Sequence, residues 1–119
     1  TPGTHATTFG GTPLVCAAAN AVLDTVGDGQ FLAQVKEKGE YLKNGILSIG
    51  SPNILGVRGM GLMLGIIVED GKHAAYANKL IEKGVLALTA GKNAVRLLPP
   101  LTISKEEMDE ALTIMKEVF

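Results

Sequence analysis

The chain has 119 residues, of which 46% are hydrophobic and 19% are charged, and its formal net charge at pH 7 is −1. This length and composition predict one folded domain and argue against intrinsic disorder. The balance of 11 Lys and Arg against 12 Asp and Glu argues against a nucleic-acid-binding surface. A single cysteine, Cys16, excludes an internal disulfide and predicts a reducing compartment, the cytoplasm.

Two further classes of protein are excluded by pattern. No apolar run approaches the roughly 18 residues of a membrane span, and the two histidines, His5 and His73, are too scattered to form a metal site with the one thiol. The chain begins Thr-Pro-Gly without a methionine, so we expect it to be a piece of a longer protein.

Residues 1–11 are rich in Thr, Gly and Pro and are predicted to form a loop. A helix should follow, because Thr12 is a permitted N-cap and Pro13 suits the first helical position. Its body is rich in alanine, and Gly27 is expected to end it.

Asp28 can cap a second helix, whose apolar residues recur at spacings of three and four and predict one buried stripe. The members of this stripe are Phe31, Val35, Gly39, Leu42, Ile46 and Ile49. Residues 50–52, Gly-Ser-Pro, then break the chain. The β-branched, glycine-interrupted stretch at 54–70 predicts two strands joined near residues 59–61.

Residues 73–84 predict a third helix that ends at Gly84. A strand pair is predicted at 85–89 and 93–100 around a turn at 90–92. Ser104 and Glu107 form a capping-box pattern before a final amphipathic helix. The order of elements predicts an α+β fold (an α/β small domain), in which helices cover one face of a small, mainly antiparallel sheet.

Two segments are candidates for binding an anion. Thr7 and Thr8 precede Phe-Gly-Gly and a helix, where hydroxyls and N–H groups can surround a phosphate or a carboxylate, although a plain glycine turn explains the same residues. Arg96 alternates with Val95 and Leu97 on its strand and therefore requires a carboxylate, from a ligand or from an internal ion pair. Arg58 presents the same choice, and we favour a structural ion pair there.

These segments, in this order, resemble the C-terminal part of the class III pyridoxal-phosphate aminotransferases. Residues 3–23 resemble the family's G-x-H-G-S-T-F-G-G-N-P-L stretch and the small-residue helix after it, with Ala6, Thr7 and Thr12 as departures. Residues 57–66 resemble a second marker, and residues 84–112 resemble the terminal strand pair and last helix. The match covers the whole chain and implies the C-terminal domain of a fold-type I aminotransferase.

The resemblance also implies a role for three residues. Thr8 would bind the phosphate of pyridoxal 5'-phosphate in the other subunit of a homodimer, and Thr7, in place of the family's serine, would contact substrate. Arg96 would hold the substrate's α-carboxylate, a task that suits its planar guanidinium. No residue of this chain is assigned a catalytic role, because the family's Schiff-base lysine belongs to the large domain upstream of Thr1, the expected partner of this domain.

The implied reaction of the whole enzyme moves the δ-amino group of N2-acetylornithine to 2-oxoglutarate in arginine biosynthesis. Ornithine, succinylornithine and 4-aminobutyrate stay open as alternative amino donors. Residues 1–26 would be an interdomain loop and small-residue helix, and residues 27–119 the small domain, which we expect to be inactive alone. A free-standing α+β ligand-binding module is the alternative from another class, and a dimerisation role is compatible with the first interpretation.

Overall fold

A four-stranded antiparallel sheet, in the order β1-β2-β4-β3, organises the C-terminal part of the chain in a computed structural model that describes residue 1 and residues 3–119. Its strands are β1 (Gly56–Met60), β2 (Met63–Ile67), β3 (Leu88–Ala90) and β4 (Ala94–Leu97). The helices are α1 (Pro13–Val26), α2 (Gly29–Ser48), α3 (His73–Glu82) and α4 (Lys105–Val118). The predicted α+β class and the antiparallel sheet are confirmed.

The described residues form two compact units, residues 1–33 and residues 34–119, with the boundary inside α2. In the first unit, the described residues before α1 form no helix or strand, as predicted for a loop. The helix α1 begins at Pro13 after an extended Thr12. No described side chain of this unit is buried.

The second unit contains the hydrophobic core, which lies between one face of the sheet and three helices. The core side chains come from α2, α3, α4 and the strands, and include Ile46, Ile66, Leu80, Val95 and Met115. The sheet residues that alternate with these point to the opposite face of the sheet. None of them belongs to the hydrophobic core. We call this opposite face the open face, and it carries Arg58, Met60, Met63, Gly65, Leu88, Ala94 and Arg96.

Local signals explain most of the element ends. The backbone N–H of Gln30 donates to the Asp28 carboxylate at 2.9 Å at the start of α2, as predicted. At the end of α3, Gly84 has a φ of 93°, and the N–H groups of Gly84 and Val85 donate to the carbonyls of Ile81 and Leu80. These two bonds are those of a Schellman motif.

Three strand predictions need adjustment. The fourth strand is shorter than predicted and ends at Leu97 rather than at residue 100. The Schellman motif uses the Val85 N–H, so the third strand begins at Leu88 rather than at residue 85. The first hairpin turns at Gly61 and Leu62, because Met60 pairs with Met63, so Gly59 lies inside β1. Of the stripe predicted for α2, only the middle is buried, at Gly39, Leu42 and Ile46. Phe31, Val35 and Ile49 are half-buried, and Ile49 lies just beyond the end of the helix.

Gly39 shows why this helix needs glycine in its interior. A Cβ atom on Gly39 would lie 2.2 Å from the carbonyl oxygen of Gly61, in the turn between β1 and β2. Gly61 itself has a φ of 52°, which favours glycine. The two glycines therefore bring the helix backbone close to the hairpin. None of the described helices is long and apolar enough to cross a membrane.

Candidate functional site

The loop before α1 holds the two candidate threonines, Thr7 and Thr8, both of which are exposed. The Gly10 backbone lies against the Thr7 side chain, since a Cβ atom on Gly10 would lie 2.0 Å from the Thr7 methyl carbon. A larger residue at this position would push the Thr7 side chain aside. Among the described residues of this unit, the threonine hydroxyls that donate hydrogen bonds are those of Thr4 and Thr25. The hydroxyls of Thr7 and Thr8 thus have no partner among the described residues.

The first turn of α1, which follows this loop in the chain, has unpaired N–H donors. Thr12 has the extended backbone of an N-cap, but its side chain makes no capping hydrogen bond, and Pro13 has no N–H. The first backbone hydrogen bond of the helix runs from the Cys16 N–H to the Thr12 carbonyl at 2.9 Å. The N–H groups of Leu14 and Val15 are therefore unpaired among the described residues, and the turn contains no acidic residue. Such a helix end favours an anion.

Arg96 lies in the second unit, in the middle of β4. It is exposed on the open face, while its neighbours Val95 and Leu97 point to the core with 0% and 4% of their surface exposed. The alternation predicted from the sequence is therefore confirmed. In the sheet, Arg96 pairs with Gly65 of β2 on one side and with Leu88 of β3 on the other.

The alternative of an internal ion pair finds no support for either arginine. Within residues 1 and 3–119, salt bridges join Lys83 to Glu117 at 2.7 Å and Lys105 to Asp109 at 2.9 Å, and neither includes an arginine. Arg96 is thus an unpaired guanidinium on an exposed sheet surface. The same is true of the only other arginine in the chain, Arg58.

The strand order places these two arginines in one row. Arg58 of β1 is opposite Gly65, and Gly65 is opposite Arg96, so both side chains lie on the open face two strands apart. The spacing of strands puts their backbones about 10 Å apart. Sequence reasoning favoured an ion pair for Arg58 and missed this placement. Only the pairing of β2 with β4 reveals it, because the alternation within a strand does not show which strands are neighbours.

The candidate threonines and the candidate arginine belong to different units: Thr7 and Thr8 to residues 1–33, and Arg96 to residues 34–119. Groups of three or more His, Cys, Asp or Glu side chains that could hold a metal ion do not occur among the residues described. Both groups offer hydrogen-bond donors without an acidic neighbour, which is the chemistry of anion binding.

Other charged groups of the second unit form surface pairs on the helices. Asp109 accepts hydrogen bonds from the Tyr41 hydroxyl and from Lys105, and these bonds hold the pKa of Asp109 below its usual range. The bond to Asp109 raises the pKa of Lys105 in turn. Such exposed pairs contribute little to stability because water screens them. They are satisfied locally and are not candidates for ligand binding.

The second unit also has an apolar groove of about 340 Å³. It is lined by α4 and by the segments around residues 84–86 and 97–103, including Leu86, Leu98, Pro100 and Ile103. The acidic residues at its edge are Glu107, which caps α4, and Glu110. The groove lacks a cation, so it does not match the anion chemistry of the arginine row.

Comparison with known proteins gives the family. The profile of the family described as "Aminotransferase class-III" matches residues 1–119. The mitochondrial acetylornithine aminotransferase of Candida glabrata is 47% identical over 118 residues, covering 97% of this chain and 27% of that protein. The ornithine aminotransferase of Staphylococcus carnosus is 42% identical over 120 residues, covering 100% of this chain and 30% of that protein.

The fold agrees with this assignment. The crystal structure of acetylornithine aminotransferase from Elizabethkingia anophelis superposes with a TM-score of 0.83 at 33% identity, covering 99% of this chain and 32% of that one. The chain thus spans less than a third of the length of each of these relatives. On its sequence along the full length and on its fold, the chain belongs to the class III aminotransferases.

Proposed function

We propose that this chain is the C-terminal small domain, residues 27–119, of an acetylornithine aminotransferase, together with an interdomain loop and helix at residues 1–26. The observation that carries the proposal is Arg96, an exposed guanidinium with no counter-ion among the described residues. An amino acid and a 2-oxo acid, the two substrates of a transaminase, both present the carboxylate that such a group binds.

The proposed reaction transfers the δ-amino group of N2-acetylornithine to 2-oxoglutarate, a step of arginine biosynthesis. The similarity to acetylornithine aminotransferases supports this donor. Ornithine is the second candidate, because ornithine aminotransferases match almost as well, at 42% identity for the one from Staphylococcus carnosus. An arginine that binds a carboxylate does not distinguish these donors, so Arg96 does not decide between them.

Pyridoxal 5'-phosphate is the proposed cofactor, and the residues of the loop and α1 fit its phosphate. Thr8 offers an unpaired hydroxyl, and the first turn of α1 offers the unpaired N–H groups of Leu14 and Val15 without an acidic neighbour. When bound, the cofactor supplies the electron sink and carries the amino group. In the proposed homodimer, Thr8 donates to the phosphate in the partner subunit, and Thr7 donates to the substrate.

Arg96 binds and orients the substrate. Its guanidinium can donate two parallel hydrogen bonds to a carboxylate, which fixes both the position and the plane of that group. The sheet holds the Arg96 backbone on both sides, through β2 and β3, and Val95 and Leu97 anchor the strand in the core. A carboxylate held in this way keeps the amino group of the substrate at a fixed distance from the reacting centre.

Two further parts of the proposal concern the isolated chain. We expect it to be inactive, because the residues here provide binding groups and the family's Schiff-base lysine lies in the large domain. We expect the complete enzyme in the cytoplasm, although one relative is named as mitochondrial. Activity of the 119-residue chain alone would contradict the first expectation.

Substitutions in the complete enzyme that contains this chain test the site. Arg96→Ala should raise KM for both carboxylate substrates by about 10- to 100-fold, because it removes a charge-assisted pair of hydrogen bonds. The visible absorbance of the bound cofactor should not change. Thr8→Val should increase the loss of cofactor on dialysis, whereas Thr25→Val, on the same unit, should not. Unchanged KM values together with unchanged cofactor retention would refute the assignment.

A further inference from the structure

Arg58 has a defined position on the open face. A Cβ atom on Gly65 would lie 3.7 Å from Cγ and 3.8 Å from Nε of Arg58, so the Arg58 side chain crosses β2 above this glycine. Its Nη2 atom lies 4.0 Å from where a Cβ atom of Gly91 would be. The side chain therefore extends from β1 across the sheet toward the turn between β3 and β4.

Small residues provide the surface on which this side chain lies. Gly65 has no side chain, and the Cβ atom of Ala94 lies 3.6 Å from the same point above Gly65. Ala94 is only 1% exposed although it belongs to the open face, as expected if the Arg58 stem covers it. The apolar stem of an arginine commonly packs in this manner while its charged end stays accessible. Packing of the stem restricts the guanidinium before any partner arrives.

The charge of Arg58 has no counter-ion in the described part of the chain. The open face carries two guanidinium groups, and the other side chains on it are apolar or absent. Three of these apolar side chains are strongly exposed, namely Met60 at 89%, Met63 at 60% and Leu88 at 53%. A cation surrounded by apolar groups becomes costly when the surface is covered, unless an acidic group pairs with it.

We propose that Arg58 is a second carboxylate-binding residue of the open face, next to Arg96. The carboxylate has two possible sources, the second carboxylate of a dicarboxylate substrate or an Asp or Glu side chain in the rest of the polypeptide. This inference deepens the proposed function and rests on it for the substrate source. The ion pairs among the described residues do not include the Arg58 guanidinium, so it can donate the two parallel hydrogen bonds that a carboxylate accepts.

The experiment uses the complete enzyme and glutarate, a dicarboxylate without the oxo group needed for amino transfer. Arg58→Met removes the positive charge. Arg58→Lys keeps the charge but lacks the planar guanidinium that donates two parallel hydrogen bonds. Gly65→Leu fills the path of the side chain without changing its charge. Lys36→Met is the control, because it removes a positive charge from an exposed residue of α2. Calorimetry measures the Kd of glutarate, and thermal unfolding is followed at low and high NaCl.

If the carboxylate bound by Arg58 belongs to a substrate, Arg58→Met should weaken glutarate binding about tenfold or more. Arg58→Lys should weaken it less, and Gly65→Leu should weaken it as well. If the carboxylate belongs to an Asp or Glu side chain of the polypeptide, the Kd of glutarate should not change. In that case Arg58→Met lowers the Tm by about 2–4 °C at low salt, and the difference shrinks at high salt. Either result supports a carboxylate partner for Arg58, and the two measurements distinguish its source.

The inference is overturned if Arg58→Met matches Lys36→Met in both the glutarate Kd and the Tm. Failure of the proposed function would look different. It would appear in the unmodified enzyme, as no transfer of an amino group from N-acetylornithine to 2-oxoglutarate. Glutarate binding and thermal unfolding do not require turnover, so they test Arg58 in either case.

Discussion

Residues 1–33 and residues 34–119 contain equally regular helices, yet only the second unit buries side chains. Leu14 and Leu23 on α1 are 81% and 61% exposed, whereas Leu80 on α3 is 0% exposed. A local signal marks one end of each helix: Pro13 begins α1, and Gly84 ends α3. Burial requires a partner surface, and the second unit supplies one in its own sheet. The comparison separates what forms a helix from what stabilises it.

The largest difference between the units is expected for the removal of an apolar side chain. Leu80→Ala should lower the free energy of unfolding by about 2–5 kcal/mol, because it leaves a cavity in the core. Leu14→Ala, the same change in α1, should alter it by less than about 0.5 kcal/mol. Urea denaturation of the chain measures both. Equal losses would show that α1 is buried in solution and would remove the contrast.

A second contrast uses glycines in one helix on either side of the unit boundary. Gly39→Ala should destabilise by about 1–3 kcal/mol, because the new methyl group would meet the Gly61 carbonyl oxygen at 2.2 Å. Gly29→Ala meets no atom within 4 Å and should be neutral or slightly stabilising, as helix propensity alone suggests. The urea midpoint should fall for Gly39→Ala and should stay unchanged or rise slightly for Gly29→Ala. A stabilising Gly39→Ala would contradict the close approach of α2 to the hairpin.

Helix caps give a smaller difference. In α4, the Ser104 hydroxyl accepts a hydrogen bond from the Glu107 N–H at 3.1 Å, and Ser104→Ala should cost about 1 kcal/mol. The Thr12 side chain makes no capping bond in α1, so Thr12→Ala should cost less than about 0.5 kcal/mol. Thermal unfolding followed by circular dichroism compares the two. Loss of helix from Thr12→Ala comparable to that from Ser104→Ala would indicate a cap at Thr12 after all.

These contrasts also show how far the sequence predicts the fold. Helix starts and ends followed from single residues, such as Asp28 for α2 and the Ser104 and Glu107 pair for α4. The start of β3 did not, because the Val85 N–H is used by the Schellman motif of the preceding helix. A prediction that treats each segment separately assigns that N–H to the strand. Competition between neighbouring elements for one donor is not visible in a hydrophobic pattern.

The candidate site was predictable to a similar extent. The exposure of Arg96 followed from alternation with Val95 and Leu97, which is a property of one strand. The position of Arg58 in the same row depends on the order β1-β2-β4-β3, in which β2 and β4 are neighbours although α3 and β3 lie between them in the chain. Pairing between distant strands is set by the whole core, so a sequence read segment by segment identifies the two arginines but not their row.

The smallest expected effect is the response of the α4 cap to acid. The Glu107 carboxylate accepts a hydrogen bond from the Ser104 N–H at 2.7 Å, and the hydrogen bonds with Ser104 lower the pKa of Glu107 below its ordinary value of 4.5. A pKa that is lower in the folded state stabilises the fold above the ordinary value and loses that contribution as the pH falls. The chain should therefore become easier to unfold as the pH decreases below 4.5.

Two glutamates in the first turn of α4 isolate this contribution. Glu107→Gln keeps an oxygen acceptor but does not titrate, so the urea midpoint of this variant should fall less steeply with decreasing pH. Glu106→Gln is the matched control, because Glu106 makes no side-chain hydrogen bond among the described residues. Asp109 and Glu117 also have lowered pKa values and keep part of the acid response in both variants. Equal slopes for the two variants would show that the bond between Ser104 and Glu107 does not persist in solution, and the difference between the caps of α4 and α1 would then disappear.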